Sequence, residues 1–139
     1  MIKPRKCSIR SAKNKACRLQ NKVRDAIRAD NPDLHPDDVA SCPMGSSGAD
    51  IILSPAAKRL HPYSYEAKAH ANGFTKAYAA LAQANRNDGL TPVAVVQHDR
   101  AKPLAILALD DLSELQRLAR LERERRVDVI SRSVEVVSE

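Results

Sequence analysis

Two carboxylates and an amine within residues 48–70 are the side chains of this sequence best placed to do chemistry. Asp50 follows a glycine-rich loop and opens an apolar stretch, and Glu66 and Lys68 lie two residues apart in a second extended stretch. Because successive side chains of a strand alternate between its faces, Glu66 and Lys68 are predicted to share one face. Carboxylate oxygens that meet at one point bind a hard divalent cation such as Mg²⁺. This set is the minimum equipment for metal-assisted hydrolysis of a phosphodiester.

The same alternation predicts the orientation of the neighbouring side chains. Ser64 and His70 are expected on the face of Glu66 and Lys68. The residues expected to face the core are Tyr63, Tyr65, Ala67 and Ala69. Two carboxylates brought together repel each other and raise each other's pKa unless a cation offsets them, so the cluster is a poor choice for stability alone.

Positive charge is concentrated at the beginning of the chain. Residues 1–28 carry +9, which leaves −3 for residues 29–139, because the whole chain carries +6. A basic pole on a mildly acidic domain predicts a polyanion partner such as DNA, whose binding should weaken as salt rises; a solvated basic helix and tail is the alternative. The candidate DNA-binding residues are Lys3, Arg5, Lys6, Arg10, Lys13 and Arg18, together with Ser47 in the glycine-rich loop and His70 beside the carboxylates.

Size and composition indicate a single domain. The chain has 139 residues, few aromatic side chains, and no apolar run of the length of a membrane span. Its beginning lacks the apolar stretch of a secretory signal. The three cysteines are widely spaced, which fits neither a zinc pattern nor a disulfide framework. We therefore expect a protein of the reducing cytoplasm, with no membrane partner.

Periodicity and turn residues predict the order α-β-β-α-β-β-α, an α/β fold with a mixed sheet flanked by helices. Residues 1–10 are expected to form a flexible basic arm, and residues 127–139 an added edge strand, a dimer contact or a frayed end. The predicted elements are a helix at 11–29, strands at 51–54 and 63–70 joined by a polar connection, a helix at 74–87, strands at 92–98 and 104–109, and a helix at 112–126.

Five details of these elements can be checked. Gln20 lies at the border of the apolar stripe of the first helix, where it can be half covered and still reach a site. The unbroken apolar run 93–96 predicts a strand covered on both faces. Tyr78 is expected in the core, and Asp110 or Asp111 is expected to cap the last helix. His35, His61 and His98 lie beside turns and prolines and are expected at the surface.

The pattern Gly-x-Asp at 48–50 and Glu-x-Lys at 66–68, with a helix before it and an alanine-rich helix and strand after it, resembles the PD-(D/E)xK nuclease superfamily. Within that superfamily it is most similar to small phage-encoded and archaeal-type Holliday-junction resolvases. The resemblance extends from about residue 15 to residue 115 and includes Arg18-Leu-Gln20 and the run 92–96. It implies a restriction-endonuclease-like fold, with the nuclease domain at 11–126.

The resemblance also implies roles for particular residues. Asp50 and Glu66 would be metal ligands, with the Ala67 carbonyl as a third, and Lys68 would orient or help to deprotonate the attacking water. Gln20 stands where resolvases often place a glutamate that completes the metal shell, and Ala49 replaces the proline of the motif. The implied cofactor is Mg²⁺, for which Mn²⁺ would substitute.

The expected function is that of a Mg²⁺-dependent, structure-selective DNA endonuclease that resolves four-way junctions. Two related cuts at one junction favour a homodimer. The resemblance implies cuts that leave a 5′-phosphate and a 3′-hydroxyl, and it indicates a phage gene product acting in the host cytoplasm. One alternative is a nicking, repair or restriction-type nuclease of the same fold, because fold does not determine substrate. Another is a noncatalytic, basic DNA-binding accessory protein.

Overall fold

In the residues that the structure describes, the protein is a mixed α/β chain with four α-helices and two small antiparallel sheets. The computed structural model describes residues 8–43 and 45–137, with side chains up to residue 131. A short 3₁₀ helix precedes the first strand. The elements are α1 Ile9–Asp30, 3₁₀ Pro36–Asp38, β1 Val39–Ser41, β2 Ile51–Leu53, α2 Pro55–Leu60, α3 Thr75–Ala84, β3 Ala94–Val96, β4 Leu104–Ile106 and α4 Leu109–Val137. None of the helices in these ranges is long and apolar enough to cross a membrane.

The first sheet pairs β2 with β1, and Val39 lies opposite Leu53. The predicted strand at 51–54 is confirmed as β2, but the prediction that 63–70 is its partner strand is wrong. Residues 61–70 are extended without forming a ladder. They meet the sheet where the Asp50 N–H donates to the Tyr65 carbonyl at 3.1 Å. The Tyr65 hydroxyl in turn is bonded to Gln116 of α4, so this residue connects β2 with the last helix.

Two elements of this region were not predicted. β1 lies in a proline-rich stretch that favours irregular structure, and α2 replaces the predicted polar connection. The beginning of α2 carries recognisable signals, because Ser54 accepts a hydrogen bond from the Ala57 N–H at 3.1 Å and Pro55 occupies the first turn. Serine followed by proline is a common way to start a helix. The extra helix makes the observed order α-β-β-α-α-β-β-α.

The hydrophobic core lies between α1 and the first sheet. Its buried side chains are Val23 and Ile27 of α1, Val39 of β1, Ile51 and Leu53 of β2, and Ala57 of α2. The Arg28 guanidinium ties α1 to the chain before β2 by donating to the Val39 carbonyl at 2.7 and 3.0 Å and to the Pro36 carbonyl at 2.6 Å. The core therefore fixes α1 and β2, the two elements from which the candidate site is built.

The second sheet is a separate hairpin of β3 and β4, with Ala94 opposite Ile106. The two predicted strands are confirmed, although both are shorter than predicted. α3 packs against β3, where Ala94 is buried, but Val95 on the opposite face is 71% exposed. The prediction of a strand covered on both faces is therefore wrong within the chain. Tyr78 of α3, predicted in the core, is 72% exposed.

The last helix is longer than predicted. α4 has 29 residues, a length of about 43 Å. Asp110 and Asp111 lie inside its first turn instead of capping it. Residues 127–137 continue the helix, so the alternative of an added edge strand is wrong for them. Residues 138–139 and most of the predicted basic arm, residues 1–7, lie outside the described ranges; the last three residues of the arm are Ser8, which caps α1, and the first two residues of α1.

Candidate functional site

Gln20 and Asp50 meet at the edge of the core. Gln20 lies on the same stripe of α1 as the buried Val23 and Ile27 and is itself only 7% exposed. Its side-chain nitrogen Nε2 donates to Oδ1 of Asp50 at 2.6 Å. The stripe that packs α1 onto the first sheet therefore also delivers an amide to the carboxylate at the head of β2.

The second oxygen of Asp50 is held by the segment that carries the other site residues. The Ala67 N–H donates to Oδ2 of Asp50 at 2.5 Å. The main chain of Asp50 is fixed on both sides, because its N–H donates to the Tyr65 carbonyl and its carbonyl accepts from the Cys42 N–H at 2.8 Å. At Ala67 the group set against Asp50 is thus the N–H, whereas the resemblance implied a role for the carbonyl.

Glu66 and Lys68 form an ion pair on the exposed side of this segment. The hydrogen bond to Glu66 raises the pKa of Lys68, and the charges of Glu66 and Asp50 add to the rise. Lys68 is therefore a cation at neutral pH, paired with Glu66 and also attracted by the charge of Asp50.

The predicted alternation of side chains along this segment is largely confirmed. The exposed residues are Ser64, Glu66, Lys68 and His70, and the half-buried ones are Tyr65, Ala67 and Ala69. Tyr63 departs from the pattern and is exposed. The segment thus presents its polar side chains as a strand would, although it lacks a strand partner.

The donor set of the site consists of oxygens. Asp50 and Glu66 offer carboxylates and Gln20 offers an amide oxygen, a chemistry that suits Mg²⁺ or Mn²⁺ better than zinc. Both oxygens of Asp50 face neutral N–H donors, so no cation of the described residues neutralises this carboxylate directly. Across the described ranges, no three His, Cys, Asp or Glu side chains form a group suited to a metal. The oxygen donors are therefore of the type that a hard cation prefers, and the described residues do not hold them together as a ready metal cluster.

The candidate DNA-binding residues divide into three groups. Arg10, Lys13 and Arg18 are exposed on the N-terminal half of α1, the helix that carries Gln20. Ser47 is exposed in the loop before Asp50, and the exposed His70 packs its ring against Phe74 with centroids 5.4 Å apart. The remaining candidates, Lys3, Arg5 and Lys6, lie outside the described residues.

A buried polar cluster behind the site was not predicted. His61, expected at the surface, is buried, and its Nε2 lies 3.0 Å from the Tyr65 hydroxyl. That hydroxyl also accepts from Nε2 of Gln116 on α4 at 3.0 Å. Burial lowers the pKa of His61, and the charge of Asp30 opposes the shift; burial also raises the pKa of Tyr65. No local pattern in the sequence could have paired Tyr65 with a residue 51 positions away.

The polar cluster determines where the catalytic candidates lie. The Tyr65 side chain is fixed by α2 and α4, while its carbonyl receives the Asp50 N–H. Glu66 follows directly in sequence. The contacts of Tyr65 therefore fix the main chain that carries the exposed side chains of Glu66 and Lys68.

Comparisons of the chain with models of protein families, with curated proteins and with solved structures gave no match.

Proposed function

We propose that this protein is a Mg²⁺-dependent, structure-selective DNA endonuclease of the PD-(D/E)xK superfamily that cuts branched DNA such as the four-way junction. The supporting observation is the double hydrogen bonding of Asp50, to Gln20 of α1 and to Ala67 between Glu66 and Lys68. Asp50 is thereby joined to α1 and to the main chain of the segment that carries Glu66 and Lys68. The restriction-endonuclease-like fold is part of this proposal, and the mixed α/β organisation supports it in outline.

In this proposal Asp50 and Glu66 hold the cation, assisted by the amide oxygen of Gln20. A bound Mg²⁺ supplies charge neutralisation at the phosphate and acidifies a water molecule. Lys68 orients that water and stabilises the negative charge that develops on the phosphoryl oxygens. The raised pKa of Lys68 supports this charged role over removal of a proton from the water.

The position of the exposed basic residues fits a DNA path along α1. Arg10 and Gln20 lie on the same helix, ten residues or about 15 Å apart along its axis. A duplex that is cut beside Gln20 would therefore bring phosphates a few nucleotides away to Arg10 and Lys13. Neutralisation of these phosphates predicts binding that weakens steeply as salt rises.

A cleavage assay on a synthetic four-way junction tests the function. Glu66→Gln and Lys68→Met keep the size of each side chain and should lower the cleavage rate by roughly 10²–10³-fold, the loss typical of a group that stabilises transition-state charge. Both variants should still bind the junction. Asp99→Asn, which changes an exposed carboxylate in the β3–β4 turn, is the matched control and should cut at the wild-type rate. Unaltered cleavage in Glu66→Gln or Lys68→Met would refute the assignment.

The substrate is tested by the same assay on linear, nicked and flapped duplexes. A junction-resolving enzyme should cut the four-way junction faster than any of these and should place two related nicks in it. Faster cutting of a flap or a linear duplex would instead favour a repair or restriction-type nuclease of the same fold.

A noncatalytic DNA-binding protein is the second candidate, and Gln20 is the observation that favours it. The amide satisfies one oxygen of Asp50 without any metal, and a third carboxylate is missing from the site. The variant Gln20→Glu adds that carboxylate beside Asp50. If the protein is a nuclease, Gln20→Glu should bind Mg²⁺ more tightly, measured as a larger Mg²⁺-induced rise in melting temperature. A wild-type protein that binds the junction but leaves it intact with both Mg²⁺ and Mn²⁺ would favour the accessory role.

A further inference from the structure

The outward face of α4 carries three leucines that the described part of the chain leaves uncovered. Leu115, Leu118 and Leu121 are 51%, 48% and 43% exposed. Gln116, on the opposite face, is buried against Tyr65 and points the helix toward the body of the protein. Leu118 follows Gln116 by two residues, which places it about 200° around the helix. These three side chains therefore form a row that faces away from the rest of the chain.

The net charge of α4 changes sign between Gln116 and Arg117, next to Leu118. Residues 109–116 contain three acidic residues and no lysine or arginine, whereas residues 117–126 contain five arginines and two glutamates. The first part thus carries −3 and the second +3. Two such helices attract each other when they lie antiparallel and repel each other when they lie parallel in register.

We propose that α4 binds antiparallel to α4 of a second copy of this chain, about a two-fold axis at Leu118. In this arrangement Leu118 packs on Leu118 of the second copy, and Leu115 packs on Leu121. The same alignment places Asp111 of one copy opposite Arg125 of the other, and Asp110 opposite Arg126. A two-fold contact uses one surface twice, and this helix carries both halves of the complementary pattern.

One pairing in the arrangement joins like charges, Glu114 with Glu122. Each of them is paired with arginine of its own helix. Glu114 accepts from Arg117 at 2.7 Å, and Glu122 lies 2.9 Å from Arg125 and 3.1 Å from Arg126. These internal pairs lower the pKa of both glutamates and reduce the repulsion between them. In the contact, Arg125 and Arg126 would lie between Glu122 of their own helix and the aspartates of the other copy.

The charge pattern of α4 supports a second copy as the occupant of this surface. Acidic residues precede the leucine row and arginines follow it, so the surface is complementary to itself in the antiparallel arrangement. A stable interface covers about 800 Å² of each partner.

The dimer contact can be tested without DNA or metal, so its outcome is separate from that of the proposed nuclease activity. Light scattering on the full chain should give twice the 15.3 kDa of one copy. Leu118→Glu places two carboxylates at the two-fold axis and should give a monomer with unchanged helix content, because glutamate is a good helix former. Val95→Glu, on the exposed face of the hairpin, is the control and should remain a dimer.

Two further variants test the antiparallel alignment itself. Leu118→Cys should form an intermolecular disulfide on mild oxidation because this residue meets itself, whereas Leu115→Cys should not; the wild-type chain reports the background from its own cysteines. Asp111→Arg should weaken the dimer about tenfold or more, and combination with Arg125→Asp in the same chain should restore it. A wild-type monomer, a dimer that survives Leu118→Glu, or one that only Val95→Glu dissociates would each overturn the assignment.

Discussion

The two halves of this chain differ in how they treat their apolar side chains. The buried core is built from residues between Val23 and Ala57, where α1, the first sheet and α2 close over one another. Most of the exposed large apolar side chains instead lie between Phe74 and Ile130, on α3, the hairpin and α4. The first half contains the buried core and few exposed large apolar side chains, whereas the second half presents apolar surface that a partner can cover.

The candidate site lies in the first half, which contains the buried core. Asp50 and Gln20 are fixed by the core, and Glu66 and Lys68 follow through Tyr65. The second half contributes Gln116 to this arrangement but none of the charged candidates. The two proposals therefore concern different parts of the molecule, which makes them separable by mutation.

The largest expected effect compares one side chain from each half. Ile27→Ala removes a buried side chain of the core and should lower the free energy of unfolding by about 2–5 kcal/mol. Val95→Ala removes an exposed side chain of the hairpin and should change it by less than about 0.5 kcal/mol. Urea denaturation measures both. Equal losses would mean that the hairpin face is covered in solution and that the two halves do not differ as described.

A smaller effect measures how firmly the halves are joined. The Tyr65 hydroxyl and the Gln116 side chain are hydrogen bonded across them. Tyr65→Phe and Gln116→Leu, combined in a double-mutant cycle, should show a coupling of about 1 kcal/mol. Denaturant unfolding at neutral pH gives the four values required. A coupling near zero would show that α4 is held to the first half by other contacts.

The smallest effect is a pH dependence within the first half. Burial lowers the pKa of His61 in the folded state. At a pH between that lowered pKa and the ordinary histidine pKa of 6.5, the unfolded chain therefore binds a proton that the folded chain does not. Stability should therefore be constant above about pH 7 and fall as the pH drops through 6.5 toward the lower folded-state pKa. His61→Gln can keep a hydrogen bond to Tyr65 without titrating and should flatten this fall. An unchanged pH profile in that variant would assign the titration to another group.

Periodicity in the sequence was sufficient for the elements that form their own pattern. α1, α3 and both strands of the hairpin were predicted within a few residues of their observed bounds, and α4 was predicted to begin within three residues of its observed start but to end eleven residues too early. β1 could not be predicted, because a three-residue strand has too little pattern of its own. That residues 63–70 do not pair as a strand could not be predicted either, because strand pairing is decided by distant contacts. α2 carried a serine cap and a proline that predict a short helix, and these signals were misread as a polar connection.

The candidate site was predicted better than the fold that supports it. The exposed side of 64–70 followed from alternation alone, which a segment keeps whenever it is extended. The contact of Gln20 with the site was expected from its position at the border of the α1 stripe, but Gln20 is buried and not half covered. The burial of His61 and its link to Tyr65 could not be predicted, because they depend on where α4 packs. The exposure of Tyr78 was missed for a related reason. An apolar helix face indicates that other side chains pack against it, but it does not show whether they belong to the same chain.

The hydrogen bond from the Ala67 main chain to Asp50 has a consequence for how this protein can vary. A main-chain donor is common to every amino acid except proline, so position 67 can drift among small residues while the carboxylate stays anchored. Gln20 donates to the same carboxylate through its side chain, so few other residues can replace it at position 20. Natural variants should therefore be tolerant at the first position and restrictive at the second, and a random mutagenesis screen for folded protein should recover that asymmetry.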